Sequence, residues 1–361
     1  MKSLDTTRLT PALVRAIGEI DEFKGRWEVI GNLAPERLLG LKRVATIESV
    51  GSSTRIEGVQ LTDDEIEKLL AGVRIQSFET RDEQEVAGYA DLMELIFESY
   101  TEIVLSENNI NQLHGILLKY SSKDERHRGH YKKLPNHVEA FDPNGKSLGV
   151  VFETATPFDT PRLMTSLISS VDQTLTADDH HPLLVIGNFV VRFLAIHPYQ
   201  DGNGRLSRAL TTLLLLRTGY HYVPYSSLER VIEDTKEQYY VALRRAQSTI
   251  DTDESQLIDW LEYFAQCLVR HKDALQRKIE RERLMPPMAR LSEELLAIAR
   301  DHGRLTVREA EAMTGANRNT IKDHIKRLVI ANRLVRRGRG RGTWYERVCL
   351  LYTSDAADER G

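Results

Sequence analysis

Cysteine is nearly absent. Cys267 and Cys349 are the only two in 361 residues, too few for a disulfide framework or a cysteine-rich zinc site. Long apolar runs are missing too: stretches such as Leu183–Ile186 and Leu213–Leu216 fall far short of the ~18 residues that cross a membrane. Met1–Pro11 has no basic-then-apolar signal segment, which argues against secretion. Neither sign of charge dominates, with 49 Lys+Arg against 53 Asp+Glu and a formal net charge of −4. A disordered chain would be poorer than 41% in hydrophobic residues and further from neutrality. There is no internal repeat and no low-complexity tract. At roughly 100–200 residues per domain, two or three domains are expected. The expectation is a cytoplasmic, multidomain protein without a membrane partner.

Periodicity predicts helices at Pro11–Lys24, Glu36–Glu57, Asp63–Gly72, Gln84–Glu98, Ser106–Tyr120, Pro161–Leu175, Pro182–Ile196, Arg205–Gly219, Thr235–Gln247 and Glu254–Arg281. In each, apolar residues recur at three- and four-residue spacing. Gly58 is placed to end one helix, and Thr62 with Glu65 to open the next through a capping box. Between Gly129 and Pro157 the pattern breaks: Phe141–Gly145 reads as a turn and Val150–Phe152 as a short β segment. A boundary is expected near Met285-Pro286-Pro287. Beyond it, Leu291–Arg300, Thr306–Met313 and Asn317–Ile330 read as helices, and Arg333–Arg337 and Thr343–Arg347 as strands. Three helices and a Gly/Arg-rich hairpin make a winged-helix pattern. From Arg290 to Arg347 there are 14 Lys+Arg and 7 Asp+Glu, so this module carries +7 and the remainder −11. The last stretch, Cys349–Glu359, resembles the translation of a sequencing adaptor, and residues 348–361 are set aside as a non-native tail, the other reading being an ordinary polar end.

The sharpest signal is His197-Pro198-Tyr199-Gln200-Asp201-Gly202-Asn203-Gly204-Arg205-Leu206-Ser207-Arg208, a tight loop between two apolar helices. Glycine and asparagine tolerate unusual dihedrals, so backbone N–H groups can converge on an anion at a helix N-terminus. Arg205 and Arg208, three apart, lie on neighbouring parts of one face and suit phosphate oxygens. Asp201 supplies a hard carboxylate for Mg²⁺, which normally reaches a site through one or two carboxylates plus phosphate. His197 can take a proton from a hydroxyl at neutral pH. The plainer reading is an interhelical turn with a capping Asp and solvated arginines.

These twelve residues resemble the Fic signature His-Pro-Phe-x-Asp/Glu-Gly-Asn-Gly-Arg-x-x-Arg, departing from it by Tyr199 for Phe. The resemblance spans roughly Leu41 to Arg270. It implies an all-α Fic fold with a short β-hairpin flap, here followed by a C-terminal winged-helix domain. The corresponding division is 1–100 for an N-terminal helical region, 101–284 for the catalytic core and 288–347 for the winged helix. It implies transfer of AMP from ATP, with Mg²⁺, to a Ser, Thr or Tyr hydroxyl of a target protein and of the enzyme itself. His197 would then be the base and Asp201 the metal ligand. Gly202, Asn203 and Gly204 would cradle the α- and β-phosphates, and Arg205 and Arg208 would hold the outer ones. The intact glycine/asparagine loop favours AMP transfer over the phosphorylation carried out by related toxins.

A second motif, Ser53-x-x-x-Glu57-Gly58, stands upstream. A Glu in the last turn of a helix opposes the helix dipole and gains from a cationic partner. Locally that partner is Arg55, or the Glu is solvated. Ser53 and Glu57 also match the family's inhibitory-helix motif, and the resemblance implies that Glu57 pairs with Arg208, displacing the γ-phosphate and holding the α-phosphate out of line. The same Glu in some relatives orients a water to remove AMP. Val150, Val151, Phe152 and Glu153 sit where the family has its target-docking flap, since an exposed β edge can pair with an extended segment; a purely structural hairpin stays open. Tyr239-Tyr240 and Gln247 occupy a helix that in relatives lines the adenine pocket, although a Tyr pair also suits a core. Asp178-Asp179-His180-His181 reads as capping before Pro182, and His127, His130 and His137 lack the spacing of a metal site.

In the basic module, Asn317, Arg318, Asn319, Lys322, Lys326 and Arg327 occupy the recognition-helix position, while Arg336, Arg337, Arg339 and Arg341 load the wing. Arg318, Lys322, Arg337 and Arg339 are the candidate DNA contacts. Protein docking or homodimerisation is the other use of such a module. The expectation is an autoinhibited protein adenylyltransferase. Its rivals are an enzyme that mainly removes AMP and a nucleotide-sensing, DNA-binding regulator.

Overall fold

The computed structural model describes residues 4, 7–30, 35–71, 78–141, 147–250, 252, 256–284, 290–330, 333–338 and 340–347. The chain divides into two compact units, Met1–Glu280 and Arg281–Gly361. Each has its own apolar cluster. Helix dominates both, as the periodicity predicts.

The centre of the first unit is a pair of helices, α7 (Pro182–Ile196) and α8 (Asn203–Arg217), packed on each other. Helix α7 is apolar almost all round, and such a helix is stable only when buried. Helix α8 mixes its leucines with Arg205, Ser207, Arg208, Thr211 and Thr212 and is buried as well. Accordingly Leu183–Val191 in α7 and Arg205–Leu216 in α8 are buried without a break. Around them pack α4 (Arg81–Ser99) on α8, and α6 (Thr160–Ala177) and α10 (Lys236–Thr249) on α7. Outside α4 lie α2 (Pro35–Ile56), α3 (Asp63–Ala71) and α5 (Glu107–Leu117). The remaining helices of this unit are α1 (Pro11–Ile30), α9 (Leu228–Asp234) and the long α11 (Leu257–Leu284).

Local chemistry sets most boundaries. Helix α4 begins three residues before the periodicity predicts, because Thr80 and Glu83 form a capping box. Helix α1 continues past Lys24 through Gly25, since Trp27, one turn beyond Phe23, packs with it against Tyr222 and Tyr225. Gly58 at φ 106° ends α2, and Thr62 opens α3 by exchanging bonds with Glu65. His181 caps α7 by accepting from the Leu183 N–H, so the Asp178–His181 cluster does serve as a cap. The expected start at Glu254 lies outside the described residues, as do Met285-Pro286-Pro287 and the tail 348–361.

One helix was not expected, and one strand of the expected hairpin had no range assigned from the sequence. Helix α9 is seven residues long, too short for periodicity to announce, and exists because Ser227 caps it and α2 covers it. Strand β1 (His137–Phe141) exists only through its antiparallel partner β2 (Ser147–Glu153), which contains the expected Val150–Phe152 segment. Among the described residues, no helix is long and apolar enough to cross a membrane.

The second unit holds α12 (Arg290–Asp301), α13 (Val307–Thr314) and α14 (Arg318–Ile330), then antiparallel β3 (Leu334–Arg337) and β4 (Trp344–Arg347). Leu305 bridges to Tyr345, adding a third edge to the hairpin. Leu295, Ile321, Ile325 and Leu334 fill the small core, which turns the polar face of α14 outward.

Candidate active site

The loop from His197 to Gly202 is clamped at both ends by buried helices and from within by its own polar groups. The His197 N–H bonds to Phe193 O, and its backbone adopts a left-handed φ of 52°. A non-glycine residue held there costs on the order of 1–3 kcal/mol, so its surroundings must over-determine it. Asn203 is one such constraint: its side chain accepts from the Tyr199 N–H at 2.9 Å and donates to Tyr199 O at 2.7 Å. The Tyr199 hydroxyl reaches Asn111 at 2.7 Å, and its ring stacks on His114 with centroids 3.8 Å apart. His114 in turn accepts from the Gly129 N–H, which leaves Nε2 to donate to Asp201 O at 3.0 Å. Burial keeps that imidazole neutral, with a pKa near 4. Gly202, at φ 81°, ends the loop.

His197 faces a cleft of about 180 Å³ bordered by Phe152, Gly204, Tyr239, Tyr240 and Gln247. Burial, reinforced by the nearby Lys132 charge, lowers its pKa to about 4. Its Nδ1 lies 3.4 Å from Leu194 O. A carbonyl only accepts, so this contact selects the Nδ1–H tautomer and leaves the Nε2 lone pair for a proton. Asp201 stays ionised. Partial burial works against its charge, but Arg205, the Gly202 N–H and Arg81 outweigh it and lower the pKa. Its Oδ1 accepts from Gly202 N at 2.6 Å and lies 3.3 Å from Arg205, and its Oδ2 is 3.6 Å from Arg81.

The two arginines of the motif differ in their surroundings. Arg205 is buried, with Nη1 2.8 Å from Glu85 and Nη2 3.3 Å from Asp201. Arg208 is buried against α2: it donates to Ser53 Oγ at 2.8 Å, Ser53 O at 2.9 Å and Glu57 Oε1 at 2.7 Å. Burial alone would raise the Glu57 pKa, but Arg208 and Arg205 prevail and lower it. A methyl on Gly204 would come within 2.2 Å of Glu57 Oε1, so the carboxylate lies against the first turn of α8. Unpaired N–H groups collect there, and an anion is stabilised.

Arg55 is not the partner of Glu57. It is taken by Glu233 at 2.7 Å and Asp63 at 2.8 Å, while Lys236 donates to Ile56 O at 2.7 Å. The end of α2 is therefore fastened to α3, α9 and α10, an arrangement sequence reasoning missed because α9 was not expected. It also missed Glu85, His114, Lys132 and Asn136, each a single polar residue outside any motif.

Residues Val150, Val151, Phe152 and Glu153 lie on β2, where Val150 pairs with Glu139 and Phe152 with Val138. Phe152 borders the cleft, and Glu153 is exposed. Tyr239 and Gln247 are buried on α10, and both line the cleft. In the second unit Arg318, Lys322 and Arg337 are exposed, Arg318 lying 3.5 Å from Glu311 and Arg337 2.9 Å from Glu346. Arg339 lies outside the described residues.

Residues 104–215 match the Fic/DOC family. This segment holds the His197–Arg208 motif, α7, α8 as far as Leu215 and the hairpin. None of the curated proteins matches the chain. Among solved structures, it resembles a Fic family protein from Desulfovibrio desulfuricans G20 with 24% identity and a TM-score of 0.62, covering 95% of this chain and 98% of that one. A Fic domain containing signaling protein from Bacteroides thetaiotaomicron VPI-5482 has 22% identity and a TM-score of 0.60, covering 75% and 100% respectively. Fic-1 (aa134–508) from C. elegans has 19% identity and a TM-score of 0.56, covering 75% and 73%. At these identities the likeness is one of fold.

Proposed function

We propose that the protein is an adenylyltransferase that moves AMP from ATP to a hydroxyl side chain of a protein, itself included. The observation that carries this reading is a neutral His197, its Nε2 free, beside an anion-binding helix start whose Arg208 is engaged by a carboxylate. In the forward step the target hydroxyl oxygen bonds to the α-phosphorus. The bond from that phosphorus to the bridging oxygen of the β-phosphate breaks, pyrophosphate leaves, and the hydroxyl proton passes to His197 Nε2. Tyr239 and Gln247 border the space for the base, and the N-terminus of α8 takes the phosphates.

A divalent cation fits this reading. The ionised, partly exposed Asp201 is the kind of single hard donor with which Mg²⁺ joins nucleotide phosphates. When bound, the metal would neutralise charge on the phosphates. Hairpin β1–β2, with Phe152 at the cleft, would hold an extended target segment by strand addition.

Glu57 restrains the enzyme in this reading, because it occupies both the guanidinium of Arg208 and the first turn of α8. The test of the reaction class uses purified protein with Mg²⁺ and ATP labelled on either the α- or the γ-phosphate. Label should enter protein from the α-position only, with pyrophosphate released and none transferred after chelation. Transfer of the γ-label would make the protein a kinase instead.

The second unit supports a further proposal, that it binds DNA. The exposed side chains of α14, with Arg318 and Lys322 among them, lie on a module carrying a net charge of +7 between Arg290 and Arg347. Affinity for duplex DNA should fall steeply with salt as counterions are released, and Lys322→Ala should flatten that slope by about one. Salt-independent or undetectable binding would exclude it.

A further inference from the structure

Lys132 is a lysine buried to 3% exposure without a carboxylate among the oxygens it donates to. Its ammonium gives one bond each to Asn136 Oδ1 at 2.7 Å, Thr154 Oγ1 at 2.9 Å and Ile196 O at 3.0 Å. That uses all three of its donors. The acceptors belong to two different parts of the first unit. Asn136 and Thr154 flank the β1–β2 hairpin, one on each side, while Ile196 is the last residue of α7 and precedes His197.

The same seam carries further bonds. The Lys132 N–H donates to Pro198 O at 2.8 Å, and Ala155 N to Ala195 O at 3.3 Å. Asn136 Nδ2 donates to Tyr199 O at 2.8 Å and more weakly to His197 O at 3.4 Å. A cation at the carbonyl end of a helix also meets the negative pole of the helix dipole. Burial lowers the pKa of Lys132 to about 8, so it is still mainly charged at pH 7. Its charge lowers the His197 pKa, while Glu57 and Asp201 act in the opposite sense.

We infer that Lys132 is a positioning residue for the proposed transfer reaction: its ammonium bolts the base of the hairpin to the carbonyl end of α7. The strand pair that would dock the target and the imidazole that would deprotonate it are thereby held as one body. The left-handed backbone of His197 is fixed by the bolt, and the ring is biased towards its neutral form. This inference rests on the adenylyltransferase reading, and the experiment separates the two.

The measurement uses the full chain carrying Glu57→Gly as parent, with Lys132→Met, Lys132→Arg and Thr154→Val added singly. Two quantities are followed: the steady-state transfer of α-label across a range of ATP concentrations, and the titration of the His197 ring by NMR without nucleotide. Lys132→Met should lower kcat about tenfold or more, with KM for ATP changed less than twofold, since Lys132 is not a cleft residue and a misplacement of about 1 Å is costly. Removing the positive charge should raise the His197 pKa by about one pH unit, so the acid limb of the rate profile moves up with it. Thr154→Val keeps the charge and loosens the bolt, so kcat falls while the ring titration stays put. Lys132→Arg restores both. Parental kcat in Lys132→Met, a parallel loss of ATP affinity, or an unmoved ring titration would each overturn the inference. Should Lys132→Met fail to fold, Thr154→Val decides whether the bolt matters: unchanged kcat there overturns it. A parent that folds and binds ATP but transfers no label removes the functional reading instead, and the ring titrations still decide whether Lys132 and His197 are coupled.

Discussion

In the Glu57→Gly variant, transfer of the α-label into protein rises on the order of a hundredfold over the wild type, the scale set by a reacting group brought back from about an ångström out of line. The expectation follows from where the carboxylate sits. Glu57 Oε1 is 2.7 Å from Arg208 and pressed against the first turn of α8 at Gly204, so it fills the position of an anion bound to both. Nucleotide phosphates must compete with a carboxylate already bonded and held on a helix that Arg55 fastens through Glu233 and Asp63. Removal of Glu57 also strands a buried cation. Arg208 then keeps its bonds to Ser53 but loses the one to Glu57, so the variant without nucleotide should melt at a lower temperature. ATP should then raise its melting temperature by more than it raises that of the wild type, because the phosphates supply the missing anion. Glu57→Gln keeps the shape without the charge and should fall between the two. Equal labelling by wild type and Glu57→Gly would remove the restraint from the reading.

Placed in the released background, His197→Ala lowers transfer by about 10²–10⁴-fold while leaving ATP affinity close to that of the parent. The imidazole is suited to the base role by two features of its surroundings. Burial and the Lys132 charge hold its pKa near 4, so the neutral form predominates across the physiological range. The contact of Nδ1 with Leu194 O directs the lone pair to Nε2. The sign of the pH dependence follows: a depressed pKa keeps the base competent down to mildly acidic pH, and activity is lost only as pH falls through the His197 value. The rate should therefore be nearly flat from about pH 5.5 to 7, below the range where Lys132 titrates, rather than halved near the ordinary histidine pKa of about 6.5. A variant that still transfers AMP at the parental rate would show that the target hydroxyl is deprotonated by another group.

Much of this molecule was legible without coordinates. The helical class follows from apolar spacing, and α7 from a segment too apolar to face water. The helix ends around α2 and α3 follow from Gly58 and the Thr62–Glu65 pair. The His197–Arg208 loop and the Ser53–Glu57 motif are contiguous strings, readable because their members are neighbours in the chain. Those are local energies, decided within a turn or two of backbone. Apart from the Glu57–Arg208 pair that the resemblance implied, tertiary structure decided which charges meet. Arg205 turns to Glu85 and Asp201, Arg55 to Glu233 and Asp63 rather than to nearby Glu57, and Lys132 to the end of α7. The seven-residue α9 was hidden, and the strand β1 of the expected hairpin left without a range, for the same reason, since each is stable only against a partner supplied from elsewhere. A buried ion must take whichever partner packing brings within reach, and that choice runs across 178 residues for Arg55 and Glu233 and 64 for Lys132 and Ile196. Chemistry written in a string of neighbours belongs to the sequence. The fastening of the helix that carries Glu57, and the seam that holds His197 to its hairpin, arise from desolvation and close packing between segments the sequence keeps far apart.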